Sequence, residues 1–219
     1  MKMDSRIDSA NAAAPDLKRA FRELPVSTLL ATGFGAGLSP IAPGTAGSAL
    51  ALAAAWLFAR AVNPSHMPSV VAAVGLLTSG LAIALAAVGI TDRVAEFLGR
   101  EDPGCIVLDE VAGQLLASAV VPLFAYPSPG LAAVAWIASF LTFRLFDVWK
   151  PGPIRGWQDL PGGRGIVVDD VAAGALAAAV TAGVALLLSG RPACPASGPR
   201  CSEPARPRPA GASPPGLAA

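Results

Sequence analysis

The chain has 219 residues, of which 53% are hydrophobic and only 14% are charged, and its formal net charge is +1. Soluble domains carry about a quarter charged residues, so this chain lacks roughly half of the usual solvating charge. Its mean hydropathy of +0.57 is typical of a polytopic membrane protein. The near-zero net charge gives no reason to expect a nucleic-acid partner.

The first 23 residues are polar and include the basic residues Lys18, Arg19 and Arg22. No short apolar stretch with a small-residue cleavage site follows them directly, so a removable signal peptide is not predicted. Basic residues near the end of a span favour the cytoplasm. Residues 1–23 are therefore interpreted as a polar N-terminal segment on the cytoplasmic side.

Four long runs of the sequence contain no Asp, Glu, Lys or Arg, and a membrane helix needs about 20 mainly apolar residues. The runs are 24–59, 61–91, 111–143 and 171–190. The turn signal YPSPG at 126–130 divides the third run and predicts a hairpin with two short arms. The sequence thus predicts an all-α membrane domain over 24–190 with about five spans, at 48–62, 69–90, 111–125, 131–146 and 171–189.

The C-terminal segment 191–219 is rich in Pro, Gly, Ala and Arg, a composition that predicts a disordered tail. Two of the three cysteines, Cys194 and Cys201, lie in this tail. Together with Cys105 they match neither a disulfide framework nor a metal-binding pattern.

Five alternating spans that start from a cytoplasmic N-terminus place three polar segments on the same side of the membrane: 33–47, 91–110 and 144–170. These segments hold almost every carboxylate of the core, whereas the two predicted outer turns hold none. Arg60 and the arginines of the tail fit this orientation less well. The pattern predicts a single polar site at the cytoplasmic face of the membrane.

A short repeat carries the acidic residues of the core. Residues 106–113 (IVLDEVAG) and 166–174 (IVVDDVAAG) both read Ile-Val-apolar-Asp-acid-Val-Ala and then reach a Gly within two residues. Parallel internal repeats are one way of building a site between two membrane segments. Coincidence in a chain rich in Ala and Val is the alternative, but the acid pair at the same place in each copy favours a true repeat.

Adjacent acids at the mouth of an apolar helix are costly to bury unless something compensates them. A helix N-terminus supplies only about half a unit of positive charge, whereas Mg²⁺ takes oxygen ligands from carboxylates and phosphate. Helix capping by the first acid of each pair is the structural alternative. The candidate metal ligands, which are also candidate catalytic residues, are Asp109, Glu110, Asp169 and Asp170.

Basic groups suited to phosphate lie nearby in the sequence. Arg144, Asp147 and Lys150 are spaced three apart at the cytoplasmic end of the predicted fourth span, so they lie near one another on a helix. Arg144 can bind a phosphate through two parallel hydrogen bonds, and Lys150 can add a point charge. An internal salt-bridge cluster, or anchoring of the helix at the inner face, is the alternative.

The segment 33–47 is charge-free and rich in Gly and Pro. Successive backbone N–H groups in such a loop can bind an anion in front of the following helix, which makes Gly44 and Thr45 candidate phosphate-binding residues. Glycines also permit close packing of membrane helices, so this signal is ambiguous.

Several other catalytic patterns are missing from the sequence. The one histidine, His66, falls in a predicted outer turn, so a histidine-dependent lipid phosphatase would lack its base. The chain contains neither a phosphate-loop motif nor a glycine-flanked serine nucleophile. After these mechanisms are excluded, catalysis by a metal ion and carboxylates remains.

At these positions the sequence resembles the phosphatidylglycerophosphatase A family. Residues 33–48 match its Gly-Phe-Gly-x-Gly…Ser-Pro-x-x-Pro-Gly-Thr-x-Gly-Ser segment, and residues 102–110 match Asp-x-Gly-x-Ile-Val-x-Asp-Glu. Residues 143–155 match Phe-Arg-x-Phe-Asp-x-x-Lys-Pro-x-Pro-Ile-Arg, and residues 165–174 match Gly-Ile-x-x-Asp-Asp-x-x-Ala-Gly.

The resemblance implies Mg²⁺-dependent hydrolysis of phosphatidylglycerophosphate to phosphatidylglycerol and phosphate, on the cytoplasmic face of the bacterial inner membrane. Two residues depart from the family pattern: Leu108 stands where an aromatic residue is expected, and Pro103 follows Asp102 directly. The acids and Arg144 are unchanged.

From the residues we expect a metal-bound water to attack the phosphate, while Arg144 and Lys150 stabilise charge on the phosphoryl group. Asp147 or Asp102 is the candidate base. An ion-coupled transporter and a metal-dependent lipid phosphotransferase are the alternative functions, since both also use membrane carboxylates. The sequence makes no prediction about the oligomeric state.

Overall fold

The computed structural model describes residues 16–64, 68–100, 103–150 and 163–189. The predicted tail, Asp102 and most of the polar N-terminal segment lie outside these ranges. Every regular element in the described part is helical, which confirms the all-α prediction there. The α-helices are α1 Leu17–Glu23, α2 Pro25–Ala31, α3 Pro43–Val62, α4 Val70–Leu98, α5 Leu108–Ser118, α6 Pro129–Trp149 and α7 Gly163–Ser189.

Turn and capping residues in the sequence account for several helix boundaries. The hydroxyl of Ser69 accepts a hydrogen bond from the backbone N–H of Ala72 at the start of α4, and Ser128 caps α6 in the same way. Gly99 ends α4 in the left-handed conformation, with φ of 64°, which glycine adopts without steric cost.

Four helices are long and apolar enough to cross a membrane by length and composition. They are Pro43–Val62, Val70–Leu98, Pro129–Trp149 and Val167–Ser189. They correspond to four of the predicted spans, whereas the prediction of about five spans is not confirmed.

The predicted span at 111–125 is not one long helix, unlike the other four predicted spans. Its helix, α5, ends at Ser118, and a 3₁₀ turn follows at Val121–Leu123. Pro122 cannot continue an α-helix because it lacks an N–H group. Its carbonyl accepts a hydrogen bond of 2.7 Å from the backbone N–H of Ser69, at the start of α4. This segment therefore runs from one end of the bundle to the other as a short helix followed by a tight turn.

Helix α5 is the centre of the bundle, because nine of its eleven residues are buried. It contacts α3, α4, α6 and α7. A helix enclosed in this way by other helices meets little lipid, so it does not need the length of a full span.

Small residues bring α5 and α7 into backbone contact. A Cβ atom on Gly174 would lie 2.5 Å from the carbonyl oxygen of Gly113, and one on Gly113 would lie 2.5 Å from a ring carbon of Phe143. Gly113 and Gly174 are the terminal glycines of the two sequence repeats. The repeats therefore meet where each helix carries no side chain, which is how small residues let membrane helices approach.

We predict that Gly174→Ala forces α5 and α7 apart, because real Cβ atoms do not approach a carbonyl oxygen to 2.5 Å. Overpacking of this kind costs about 1–3 kcal/mol of stability. Gly183→Ala on the same helix is the matched control, since no atom lies within 4 Å of its added Cβ, and it should stabilise the helix by about 0.5–1 kcal/mol. Thermal unfolding in detergent micelles measures both changes, and equal melting temperatures for the two variants would contradict the packing described here.

Candidate metal and phosphate site

The acid pairs of the two repeats lie near the beginnings of α5 and α7, but neither pair caps its helix. The N-cap of α5 is Val107, so Asp109 and Glu110 belong to its first turn. Helix α7 begins at Gly163, well before Asp169. The alternative in which Asp109 and Asp169 serve as helix caps is therefore wrong.

Three of the four predicted metal ligands come together. One carboxylate oxygen from each of Asp109, Glu110 and Asp170 lies within 4.8 Å of the other two. Asp109 and Asp170 are buried and Glu110 is half-buried. Oδ1 of Asp109 and Oε2 of Glu110 are buried and have no hydrogen-bond partner among the described residues. Buried oxygens without partners are costly, and a hard divalent cation such as Mg²⁺ would satisfy them. The donor set fits the predicted ion.

Asp169, the fourth predicted ligand, lies outside this group. Its Oδ2 accepts a hydrogen bond from Nζ of Lys150, and its Oδ1 accepts one of 3.0 Å from the backbone N–H of Asp170. Neighbouring residues on an α-helix point about 100° apart, so Asp169 and Asp170 face different partners. Asp169 therefore holds the lysine, and Asp170 faces the acids of α5.

Arg144 lies on α6 with its guanidinium beside the acids. Its Nη1 donates a hydrogen bond to Oδ2 of Asp147 and lies 3.4 Å from Oγ of Ser48 on α3. Asp147 also interacts with Asp170. Arg144 and Asp147 are in contact, as their spacing on the helix predicts, whereas Lys150 contacts Asp169 on α7.

Ser48 was not identified from the sequence as a functional residue. It is fully buried, and its hydroxyl donates a hydrogen bond of 2.8 Å to the carbonyl of Gly44. Through Arg144 it links the first turn of α3 to α6. The sequence feature that could have identified Ser48 was its position as the last residue of the 33–48 motif.

In the glycine-rich segment 33–47, Gly44 lies at the candidate site, whereas Gly33 and Gly47 pack against α5. A Cβ on Gly44 would collide with Oε1 of Glu110 and lie 3.3 Å from Nη1 of Arg144, so its glycine lets α3 approach both groups. A Cβ on Gly33 or Gly47 would instead lie within 2.9 Å of the Val107 side chain. The loop therefore serves mainly close packing against the start of α5.

Thr45 follows Gly44 in the first turn of α3 and is half-buried. The N-cap of this helix, Ala42, forms no side-chain capping hydrogen bond. The first-turn N–H groups of α3 are thus oriented at the edge of the acidic group, where a helix N-terminus favours an anion. Asp102, the other candidate base, lies outside the described residues.

Residues 29–185 match the family model described as Phosphatidylglycerophosphatase A. The chain belongs to this family. It is 39% identical over 154 residues to phosphatidylglycerophosphatase A of Escherichia coli (strain K12), a match that covers 69% of this chain and 79% of that protein.

Two further relatives match a similar part of the chain. Phosphatidylglycerophosphatase A of Haemophilus influenzae (strain Rd) is 33% identical over 147 residues, covering 66% of this chain and 80% of that protein. A Bacteroides thetaiotaomicron protein provisionally named a phosphatidylinositol-3-phosphatase is 37% identical over 152 residues, covering 69% of this chain and 87% of that protein. No solved structure matches the chain.

We predict that Mn²⁺, used as a spectroscopic substitute for Mg²⁺, distinguishes Asp170 from Asp169. Asp170→Asn should raise the dissociation constant for Mn²⁺ by at least about tenfold, because it removes one of the three carboxylates that we expect to bind the ion. Asp169→Asn should leave the constant close to that of the parent protein, because this carboxylate binds Lys150. Electron paramagnetic resonance of the purified protein in detergent measures free Mn²⁺, with Glu96→Gln on the exposed end of α4 as control. A reversed order of the two Asp variants would refute the assignment.

Proposed function

We propose that the chain hydrolyses the terminal phosphate monoester of phosphatidylglycerophosphate, releasing phosphatidylglycerol and inorganic phosphate, with Mg²⁺ held by Asp109, Glu110 and Asp170. The family and the names of two relatives support this substrate. The Bacteroides relative is named for a different substrate, but that substrate too is a phosphate monoester on a phospholipid headgroup.

One observation carries the proposal. Three carboxylates with two unpartnered buried oxygens share one site with two basic residues: Arg144, which meets Glu110 at Gly44, and Lys150, which is bound to the neighbouring Asp169. Carboxylates alone would repel a phosphate, and basic residues alone would need no such acidic group. A divalent cation and a phosphate together satisfy both sets of groups, since Mg²⁺ is usually held by one or two carboxylates plus substrate phosphate.

The basic residues are oriented by acidic and hydroxyl partners before any substrate binds. Arg144 is held between Asp147 and Ser48, and Lys150 is held by Asp169. Donors fixed in this way stabilise charge on a transferring phosphoryl group without reorganisation during the reaction. We assign Asp169 a positioning role rather than the ligand role expected from the sequence.

A bound Mg²⁺ would neutralise phosphate charge and lower the pKa of a coordinated water. The candidate bases that would take the proton from this water are Asp147 and Asp102. Asp147 is buried within the group and interacts with both Arg144 and Asp170. Gly44 lets the first turn of α3 approach both Glu110 and Arg144, so the N–H groups of this turn lie beside the proposed phosphate site.

Phosphate release from phosphatidylglycerophosphate in detergent micelles tests this function. We expect turnover that EDTA abolishes and Mg²⁺ restores. Arg144→Lys should lower kcat/KM by roughly 10²–10³-fold, because a lysine cannot reproduce a paired guanidinium contact. Glu96→Gln should retain the parent rate. Phosphate release that persists in EDTA would refute the proposed dependence on a metal ion. Transfer of the phosphate to an alcohol acceptor, without release of free phosphate, would indicate a phosphotransferase.

We further propose that the site faces the cytoplasm of a bacterial inner membrane. The basic residues of α1 favour a cytoplasmic N-terminus. Helices α3 and α4 then cross outward and back, the segment from Leu108 to Leu123 crosses outward within the bundle, and α6 returns to the site. The hydrogen bond between Ser69 and Pro122 supports this path, because it joins the segment to the end of α4 opposite the site.

Thiol labelling of intact cells tests the orientation in a background that lacks Cys105, Cys194 and Cys201. Ser65→Cys, between α3 and α4, should react with an impermeant reagent added outside. Glu96→Cys, at the site end of α4, should react only after the membrane is opened. Labelling of Glu96→Cys from outside would reverse the orientation and remove the site from the cytoplasmic face.

A further inference from the structure

The N-terminal helices α1 and α2 and the loop after them precede the first long span. We call residues 17–41 the platform. Ala20 and Ala31 of the platform pack against Val94 and Leu98, in the last two turns of α4. These turns follow the apolar part of α4 and carry Asp92, Arg93 and Glu96. The platform is therefore packed on the polar end of α4, at the end of the bundle that holds the acidic group.

The platform exposes large apolar side chains although it lies outside the four long helices. Ile41 is 93% exposed, Phe34 71% and Val26 68%, and Leu29 and Leu38 are also exposed. Soluble surfaces rarely carry so many neighbouring exposed apolar residues, and such patches mark interaction sites. The four long helices show comparable exposure, as expected for surfaces that lipid covers.

Basic residues accompany this apolar surface. Lys18, Arg19 and Arg22 are all exposed on α1. Arg19 is paired with Glu23 at 2.7 Å, whereas Lys18 and Arg22 are four residues apart and therefore neighbours on the helix surface. Basic residues beside exposed apolar residues are the signature of a segment that lies in the headgroup region of an anionic membrane.

Backbone geometry at Phe34 supports a functional reason for this exposure. Phe34 has a φ of 55°, in the left-handed region that large side chains rarely adopt. The turn is nevertheless closed by a hydrogen bond of 2.8 Å from its N–H to the carbonyl of Leu29. An unfavourable backbone conformation that leaves an aromatic ring exposed is expected where the ring has a partner.

We propose that the platform is a membrane-docking surface whose partner is the headgroup and upper acyl region of an anionic phospholipid leaflet. Lys18 and Arg22 contact lipid phosphates, and Phe34 and Ile41 insert between acyl chains. Ile41 lies three residues before Gly44, which touches Glu110 and Arg144. The same loop therefore leads from the acyl region to the site, and this last step rests on the proposed lipid phosphatase function.

Nitroxide labelling tests membrane docking without reference to activity. Single cysteines Phe34→Cys and Ile41→Cys are labelled in a background without native cysteines and reconstituted in nanodiscs of phosphatidylglycerol and phosphatidylcholine. We expect both labels to collide with oxygen more often than with a water-soluble nickel complex. Leu85→Cys, exposed on the long helix α4, is the lipid control, and Glu96→Cys is the water control. Labels at 34 and 41 that behave like Glu96→Cys would overturn the proposal.

Substrate comparison tests the delivery of lipid to the site. Phe34→Asn removes the ring but keeps a residue that tolerates positive φ, and it should lower the ratio of kcat/KM for the diacyl lipid to kcat/KM for its deacylated headgroup by about tenfold. Val70→Asn, exposed at the opposite end of the bundle, should keep the parent ratio. If the ratio of the two kcat/KM values is unchanged while the labels at 34 and 41 are accessible to oxygen, the platform docks on the membrane but does not deliver lipid to the site. If the parent protein hydrolyses neither substrate, the proposed function is wrong instead.

Discussion

The contact between Gly113 and Gly174 is the constraint on which the site depends. Helices α5 and α7 each carry an acid pair one turn before the contact glycine, and these carboxylates converge because the two backbones touch. Larger residues would hold the helices apart and separate Asp170 from Asp109 and Glu110. The same close approach removes these acids from water, which raises the demand for a cation. Packing and chemistry are therefore linked at a single crossing.

Around this crossing, the other helices carry the groups that we propose to bind the phosphate. Helix α6 carries Arg144, which Asp147 and Ser48 orient, and its last residue leads into Lys150, which Asp169 holds. Helix α3 approaches through Gly44. Each basic residue has an acidic partner of its own, so the arginine and lysine remain in place while the three central carboxylates stay available to a metal ion.

Much of this arrangement could be predicted from the sequence, because charge-free runs, family motifs and paired acids are local features. The helical class, the four long apolar helices and the contact between Arg144 and Asp147 followed from them. The short form of α5 did not, since an apolar segment enclosed by helices has the same composition as one that faces lipid. The different partners of Asp169 and Asp170 depend on the rotation of α7, and the packing roles of Gly33 and Gly47 depend on contacts with Val107. Asp102 as a base stays a prediction.

A structure of the protein soaked in Mn²⁺ measures the central claim most directly, through the anomalous scattering of the ion. The account predicts a peak bonded to carboxylate oxygens of Asp109, Glu110 and Asp170 at about 2.0–2.2 Å, near the distance expected for Mg²⁺, with Asp169 still paired to Lys150. A peak bonded to Asp169 in place of Asp170, or no peak near α5 at saturating Mn²⁺, would contradict it.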